Sequence, residues 1–150
     1  MLRRNKTITT LDLSGNAFGR TTYDVENIAA VECIAEGLGS NSTLLKIDFS
    51  GCDLRDGGVS MLAQTLDSRN TTLQKLTIGG NSISTSAGVG VLLEAMEQGN
   101  HITDLDLQYN PIRNEGASLL AKALENNLLP NLKHLSLSQC GISDDGVIAV

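Results

Sequence analysis

The chain has 150 residues, 41% of them hydrophobic, which is enough to bury the core of one domain. Its formal net charge of −6, from 11 basic and 17 acidic residues, argues against a dedicated nucleic-acid or anionic-membrane binder, which would carry a basic stripe. The sequence contains no apolar run of about 18 residues, and the N-terminal residues lack the apolar stretch of a signal peptide. We therefore expect a cytoplasmic or nuclear protein.

The sequence repeats itself five times. The repeated segments superimpose without a gap and begin at Ile8, Leu44, Leu73, Ile102 and Leu132, at steps of 36, 29, 29 and 30 residues. A period of this size is typical of a solenoid, in which each repeat is one supersecondary unit stacked on its neighbours. We interpret residues 1–150 as one domain of five repeats, the last of them incomplete.

The first half of each repeat alternates between apolar and polar residues. The apolar pairs are Leu11/Leu13, Ile47/Phe49, Leu76/Ile78, Leu105/Leu107 and Leu135/Leu137. Alternation over so few residues predicts a short strand with one buried face. Because the repeats stack in the same orientation, we expect the five strands to run parallel.

The second half of the repeats changes to helical spacing, with apolar residues at i, i+3, i+4 and i+7. The predicted stripes are Val31/Ile34/Ala35/Leu38, Val59/Leu62/Ala63/Leu66, Val89/Leu92/Leu93/Met96 and Ala117/Leu120/Ala121/Leu124. Cys33 lies within the first helical segment and is expected in the core, where free cysteine is common. The first repeat also carries about eight extra residues, around 19–26, which predict either a longer helix or a protruding loop.

Small polar residues mark the predicted ends of the helices. Preferred N-cap residues stand two positions before a glycine at each helix start: Asp56, Ser86, Asn114 and Asp144. Asparagines follow the last stripe residues, where they are expected to adopt the left-handed conformation that ends helices: Asn41, Asn70, Asn100 and Asn127.

One position between strand and helix holds only asparagine or cysteine. Its members are Asn16, Cys52, Asn81, Asn110 and Cys140. The backbone turns out of the sheet at this point and buries polar groups. An inward-facing asparagine amide can satisfy them, because it both donates and accepts hydrogen bonds. We interpret the position as a buried structural ladder with no role in chemistry.

These features resemble the ribonuclease-inhibitor-like class of leucine-rich repeats over residues 8–150. The resemblance implies an α/β fold, a right-handed horseshoe solenoid with parallel strands on the concave face and helices on the convex face. That class includes ribonuclease inhibitor, Ran GTPase-activating proteins, the sensor arrays of NOD-like receptors and tropomodulin-type actin cappers. Its members share recognition of a protein partner, so we expect a non-enzymatic protein-interaction module, part of a sensor, scaffold or adaptor.

Candidate contact residues follow from the outward strand positions and from the rim where the strands end. The charged candidates on the concave face are Lys46, Lys75, Asp48 and Asp106, and those on the rim are Tyr109, Arg55 and Arg113. Tyr109 stands in a column otherwise filled by glycine or glutamine, and interface hot spots favour Tyr and Arg. The alternative interpretation is an ordinary solvated surface.

The sequence predicts no catalytic residue, cofactor or metal site. It has no CxxC, HExxH or phosphate-binding GxxxxGKS pattern. Asp48 and Asp106 lie two strands apart, about 10 Å, which is too far to share a metal ion. The alternative in the enzyme class is a GTPase-activating protein resembling the Ran regulators, although this sequence shows neither their longer array nor their acidic tail.

Both ends of the sequence interrupt a repeat. Residues 2–8 reproduce the spacing of residues 38–44, and the last helical stripe stops after one turn. Terminal repeats normally carry polar caps, because an uncapped end exposes core to water. We therefore expect a segment of a longer array that, in isolation, associates weakly end to end.

Overall fold

A computed structural model describes residues 2–18, 28–68, 70, 72–97 and 101–149 of the chain. The strands are β1 (Thr10–Asp12), β2 (Lys46–Asp48), β3 (Lys75–Thr77), β4 (Asp104–Asp106) and β5 (His134–Ser136). The α-helices are α1 (Ala29–Gly39), α2 (Arg55–Ser68), α3 (Val91–Glu97), α4 (Arg113–Glu125) and α5 (Asp144–Ala149). A 3₁₀ turn, Leu2–Arg4, precedes β1, and a π-helical turn, Thr85–Gly90, leads directly into α3.

The five strands form one parallel sheet in the order β1-β2-β3-β4-β5. Equivalent positions pair at every step, so that Ile47 lies beside Leu76 and Leu76 beside Leu105. These three side chains are at most 2% exposed. Strands that follow one another in space as they do in sequence make a solenoid, which confirms the predicted α/β repeat fold.

The predicted helical stripes are buried, with two exceptions, the partly buried Ile34 in α1 and the exposed Leu124 in α4. Those of α2 and of the π-turn with α3 are at most 6% exposed. Leu124 in α4, however, is 40% exposed, although the equivalent Leu66 in α2 is 2% exposed. The helix that packs next to α4, α5, spans only six residues. None of the helices in the described residues is long and apolar enough to cross a membrane.

The prediction for Cys33 was wrong, because its side chain is exposed. It lies two residues from the buried Val31, which at 3.6 residues per turn places it on the opposite side of α1. The extra segment predicted around residues 19–26 lies outside the described residues.

Asn81 shows how the strand-end ladder, the column from Asn16 to Cys140 predicted above, joins two repeats. Its amide nitrogen donates to the carbonyl oxygens of Phe49 and Gly79, at 2.8 and 3.0 Å. Its amide oxygen accepts from the backbone N–H of Cys52 and Leu54, at 2.9 and 3.1 Å. Asn81 is fully buried, so one side chain satisfies four buried backbone groups, three of them in the preceding repeat.

Asn110 repeats this pattern one unit further along the chain. Its amide nitrogen donates to the carbonyl oxygen of Ile78 at 3.0 Å, and its amide oxygen accepts from the N–H groups of Asn81 and Ile83 at 2.9 and 3.1 Å. The first member of the ladder, Asn16, is exposed and donates within its own turn. The predicted burial therefore holds from the second repeat onward.

The two cysteines of the ladder supply only the donor half of this pattern. The thiols of Cys52 and Cys140 donate to the carbonyl oxygens of Leu13 and Leu107, at 3.0 and 3.2 Å. Burial raises the pKa of both thiols. Each thiol therefore stays protonated and can donate its hydrogen bond.

Asn41 and Asn70 form a second ladder, at the start of the strands. The amide nitrogen of Asn70 donates to the carbonyl oxygens of Leu38 and Asn41, and its amide oxygen accepts from the N–H groups of Thr72 and Leu73. Asn41 makes the same contacts one repeat earlier, and both side chains are at most 4% exposed.

The prediction that these asparagines end helices in the left-handed conformation was therefore wrong for Asn41 and Asn70. It holds for Asn127, whose φ is 53°. Asn100 lies outside the described residues.

The predicted N-caps Asp56 and Asn114 were also wrong, because both lie inside the first turn of a helix and bond to the next repeat. The carboxylate of Asp56 accepts from the N–H and the hydroxyl of Ser84, at 2.8 and 2.5 Å. Asn114 contacts Ser143 in the equivalent way, but its amide oxygen accepts from the Ser143 N–H at 2.9 Å and its amide nitrogen donates to the Ser143 hydroxyl at 2.8 Å. Asp144 begins α5, and the side chain of Ser86 lies outside the described residues.

Replacing a central ladder asparagine should destabilise the fold. Asn81→Leu or Asn110→Leu leaves buried backbone groups unsatisfied, and we expect each to lower the free energy of unfolding by about 1 to 3 kcal/mol in urea titrations. Asn16→Leu is the matched control, because that rung is exposed. An equal loss in all three variants would contradict the ladder account.

The position of Asp56, held by its bonds to Ser84, also explains why residue 88 is a glycine. A Cβ on Gly88 would overlap the Asp56 carboxylate and the Ile83 side chain, whereas a Cβ on Gly90 would meet no atom within 4 Å. We expect Gly88→Ala to cost about 1 to 3 kcal/mol through overpacking and Gly90→Ala to add about 0.5 to 1 kcal/mol. Thermal unfolding of both variants measures the difference, and the opposite ranking would refute the packing argument.

Candidate protein-binding face

The register of the sheet brings like charges together on the concave face. Lys46 lies beside Lys75 in one column, and Asp12 lies beside Asp48 in the next. Asp106 belongs to the second column but is separated from Asp48 by Thr77. The face therefore carries a basic pair near the start of the strands and an acidic pair near their end.

The concave aspartates also shape the turn that follows each strand. One oxygen of each carboxylate accepts the backbone N–H two residues further on, in Asp12, Asp48 and Asp106 alike, at 2.7 to 3.0 Å. The bond from Ser14 lowers the pKa of Asp12. These aspartates thus have a structural role that the sequence pattern alone did not reveal.

Asp104 is a further acidic residue of the concave face, and the sequence pattern did not indicate it as a site residue. Its carboxylate accepts from the Thr103 hydroxyl at 2.6 Å and lies 3.0 Å from Nδ1 of His134 on the next strand. The Thr103 bond lowers the pKa of Asp104, assisted by His134 and then by Lys75 and Lys46. Asp104 and His134 occupy equivalent outward positions of neighbouring repeats, so the repeat spacing alone places them side by side.

Tyr109 is the largest exposed side chain on the rim, with 63% of its surface accessible. Its φ is 57°, in the left-handed region, and the equivalent residues of the other repeats share it: Gly15, Gly51, Gly80 and Gln139. The turn requires this conformation because the amide at this position donates to the following repeat, in Tyr109 to the carbonyl of Ser138 at 2.8 Å. A tyrosine there is strained by roughly 1 to 2 kcal/mol relative to glycine.

Arg113 and Arg55 are equivalent in backbone but differ in the use of their side chains. Both have a left-handed φ, 58° and 53°, and both donate their amide to the next repeat. The Arg55 guanidinium is half-buried and lies 3.4 Å from the carboxylate of Asp53. Arg113 is exposed, and the structure shows no ion pair for it within the described residues. Of the two, Arg113 is therefore the better placed to contact a partner.

The chemistry of this face is that of hydrogen bonding and ion pairing. A shallow groove of about 340 Å³ crosses β3 to β5 between Lys75, Asp104 and His134. Within the part of the chain that the structure describes, no three His, Cys, Asp or Glu side chains are placed to hold a metal ion.

The sequence matches the leucine rich repeat family over residues 4–20, 40–63, 100–121 and 129–150, more than half of the chain. Human NACHT, LRR and PYD domains-containing protein 13 is 31% identical over 118 residues, covering 77% of this chain and 11% of that protein. Ribonuclease inhibitor of Mus musculus is 27% identical over 118 residues, covering 77% of this chain and 25% of that protein. The chain thus spans between about a tenth and a quarter of the length of these relatives.

A solved structure of the leiomodin-1 actin-binding site 2 has the same fold. It superimposes with a TM-score of 0.70 at 19% identity, covering 91% of this chain and 74% of that one. The repeats, the parallel sheet and the sequence match agree, and the chain belongs to the leucine-rich repeat family.

Proposed function

We propose that this chain is a non-enzymatic module of a cytoplasmic sensor, scaffold or adaptor that binds another protein through its concave face and adjoining rim. The family assignment supports the broader statement, a protein-interaction module. Ribonuclease inhibitor, one of the similar proteins, has a protein target in its name. Two exposed side chains of the kinds favoured at interfaces, Tyr109 and Arg113, lie on this rim.

The observation that carries the proposal is Tyr109. An aromatic side chain that is 63% exposed contributes nothing to the core, and its left-handed backbone costs stability. Residues held in strained conformations concentrate at sites where the strain serves function. Tyrosine buries a large apolar area and offers a hydroxyl on binding, which makes it a common interface hot spot.

The proposed contact area is small for a stable complex. Five strands at ~4.8 Å, each three residues long, give a face of roughly 20 by 10 Å. This is about a quarter of the ~800 Å² that one partner contributes to a standard interface. Tyr109 and Arg113 extend the face along its rim, and we expect the isolated chain to bind weakly.

Removing the rim side chains should weaken partner capture without unfolding the protein. We expect Tyr109→Ala with Arg113→Ala to reduce recovery of cross-linked cellular proteins several-fold relative to the wild-type chain, with an unchanged circular dichroism spectrum. The control is Lys122→Ala, an exposed basic residue on α4. Equal recovery by the double mutant and the control would refute the rim as the binding site.

A glycine at position 109 separates function from stability. We expect Tyr109→Gly to leave the free energy of unfolding unchanged or to raise it by up to about 1 kcal/mol, because relief of the strained φ offsets the added chain entropy. Gln139→Gly is the matched control, since it has the same φ of 57° and is exposed. A large loss of stability in Tyr109→Gly alone would mean that the tyrosine serves the fold.

Two other expectations stay predictions. A GTP-hydrolysis assay with small GTPases tests the GTPase-activating alternative, and acceleration by this chain would replace our proposal. Light scattering at high concentration tests weak end-to-end association, for which a strict monomer would be the contrary result.

A further inference from the structure

We infer that the concave face of β1 to β3 binds an exposed helix of the partner that carries an acidic and a basic side chain one turn apart. This inference rests on the proposed function and names the chemistry of the partner surface. It is carried by two pairs of like charges, Lys46 with Lys75 and Asp12 with Asp48, that the sheet holds side by side.

Neither lysine of the pair forms a direct ion pair within the described residues, although both act at longer range on Asp104 of the neighbouring strand. Lys46 and Lys75 are both exposed register partners on strands about 4.8 Å apart. The structure places no carboxylate of the described residues within ion-pairing distance of either ammonium group. Like charges directly opposite each other on a sheet are destabilising, so a carboxylate that bridges both lysines relieves a repulsion as well as forming new ion pairs.

The acid nearest to Lys75 along the sheet is already engaged. Asp104 is the register partner of Lys75, but its carboxylate accepts from Thr103 and contacts His134. The lysine pair therefore remains available to an external anion. On β4 and β5, by contrast, Asp104 and His134 already contact each other. This difference places the docking position over β1 to β3 and away from β5.

The aspartate pair presents the opposite charge further along the same strands. Asp12 and Asp48 each use one carboxylate oxygen to accept the amide two residues on. An ionised carboxylate has about four lone-pair sites, so each keeps capacity for a further donor. An arginine guanidinium above the pair can donate to both carboxylates.

The geometry of the two pairs matches a helix. Lys46 and Asp48 are two residues apart on β2, about 6.6 Å. Because the lysine pair spans β2 and β3 while the aspartate pair spans β1 and β2, the centres of the two pairs lie about 8 Å apart, within reach of the long Glu and Arg side chains of a helix. Side chains at i and i+4 of a helix lie about 5 to 6 Å apart at Cβ. A helix is about 10 to 12 Å across, and five strands at ~4.8 Å leave roughly 19 Å, which accommodates one helix.

The test uses a synthetic helical peptide with glutamate and arginine at i and i+4, titrated at low ionic strength with amide chemical shifts of the 150-residue chain as readout. We expect shifts at Lys46, Lys75, Asp12 and Asp48. A peptide of identical composition with the two charges on opposite faces should bind roughly 3- to 10-fold more weakly, as expected for the loss of exposed ion pairs. Equal affinity of the two peptides would overturn the inference.

Two double variants identify the charges that matter. Lys46→Gln with Lys75→Gln, and Asp12→Asn with Asp48→Asn, should each weaken the matched peptide by roughly 3- to 10-fold. The asparagines keep the oxygen that accepts the turn amide, so the fold is retained. Unchanged peptide affinity in both variants would also overturn the inference.

The same variants distinguish this inference from the proposed function. If cellular capture falls with the Tyr109 and Arg113 variants but not with the charge variants, the charge pairing is wrong and the binding module stands. If neither set reduces capture, both are wrong. Reduced capture with both sets supports both.

Discussion

Each repeat of this solenoid turns out of the sheet at the end of its strand, and the turn buries backbone groups that no strand or helix can pair. After the second and third repeats a buried asparagine of the next repeat supplies both the donor and the acceptor they need, as Asn81 does for Phe49, Cys52 and Leu54, and after the first and fourth repeats a buried cysteine supplies the donor. An unsatisfied buried backbone group costs about 1 to 3 kcal/mol. The ladder therefore couples the repeats, and the rest of the structure depends on it.

The surface proposed for binding follows from this coupling. The amide of Tyr109 donates to Ser138, and that of Arg113 to Cys140, so the rim backbone is fixed by the fifth repeat. A fixed backbone lets the turn hold a tyrosine at a φ of 57° where three of the other repeats have glycine and the fifth has glutamine. The parallel register likewise forces Lys46 against Lys75. The rigid repeats thus hold Tyr109 in a strained backbone conformation and hold Lys46 and Lys75 together despite their repulsion.

The sequence predicted the fold well because its signal is repeated five times. Alternation in the strands, stripes in the helices and the Asn/Cys position each recur at one spacing, and strand order and register follow from that recurrence. Apart from Cys33, which lies on the exposed side of α1, the errors concern side chains whose partner lies in another repeat. Asp56 looks like an N-cap from local sequence, and only the neighbouring repeat reveals that it accepts from Ser84. Asn41 and Asn70 were misassigned for the same reason.

The candidate site was less predictable, because exposed residues leave no periodic signal. Column analysis identified Lys46, Lys75 and Asp48, and it missed the contact between Asp104 and His134, which depends on side-chain rotamers. The difference between Arg55 and Arg113 could not be read from their equivalent positions. The difference depends on Asp53, whose carboxylate contacts the Arg55 guanidinium. The equivalent residue two positions before Arg113 is Pro111, which offers no carboxylate.

Native-state hydrogen exchange at the ladder tests the central claim most directly. In the strand-end ladder, Asn81 and Asn110 accept from four backbone amides, those of Cys52, Leu54, Asn81 and Ile83. The account predicts that all four exchange only through global unfolding, as slowly as the amides of the strands. Exchange of these four amides as fast as that of exposed turn amides would contradict it.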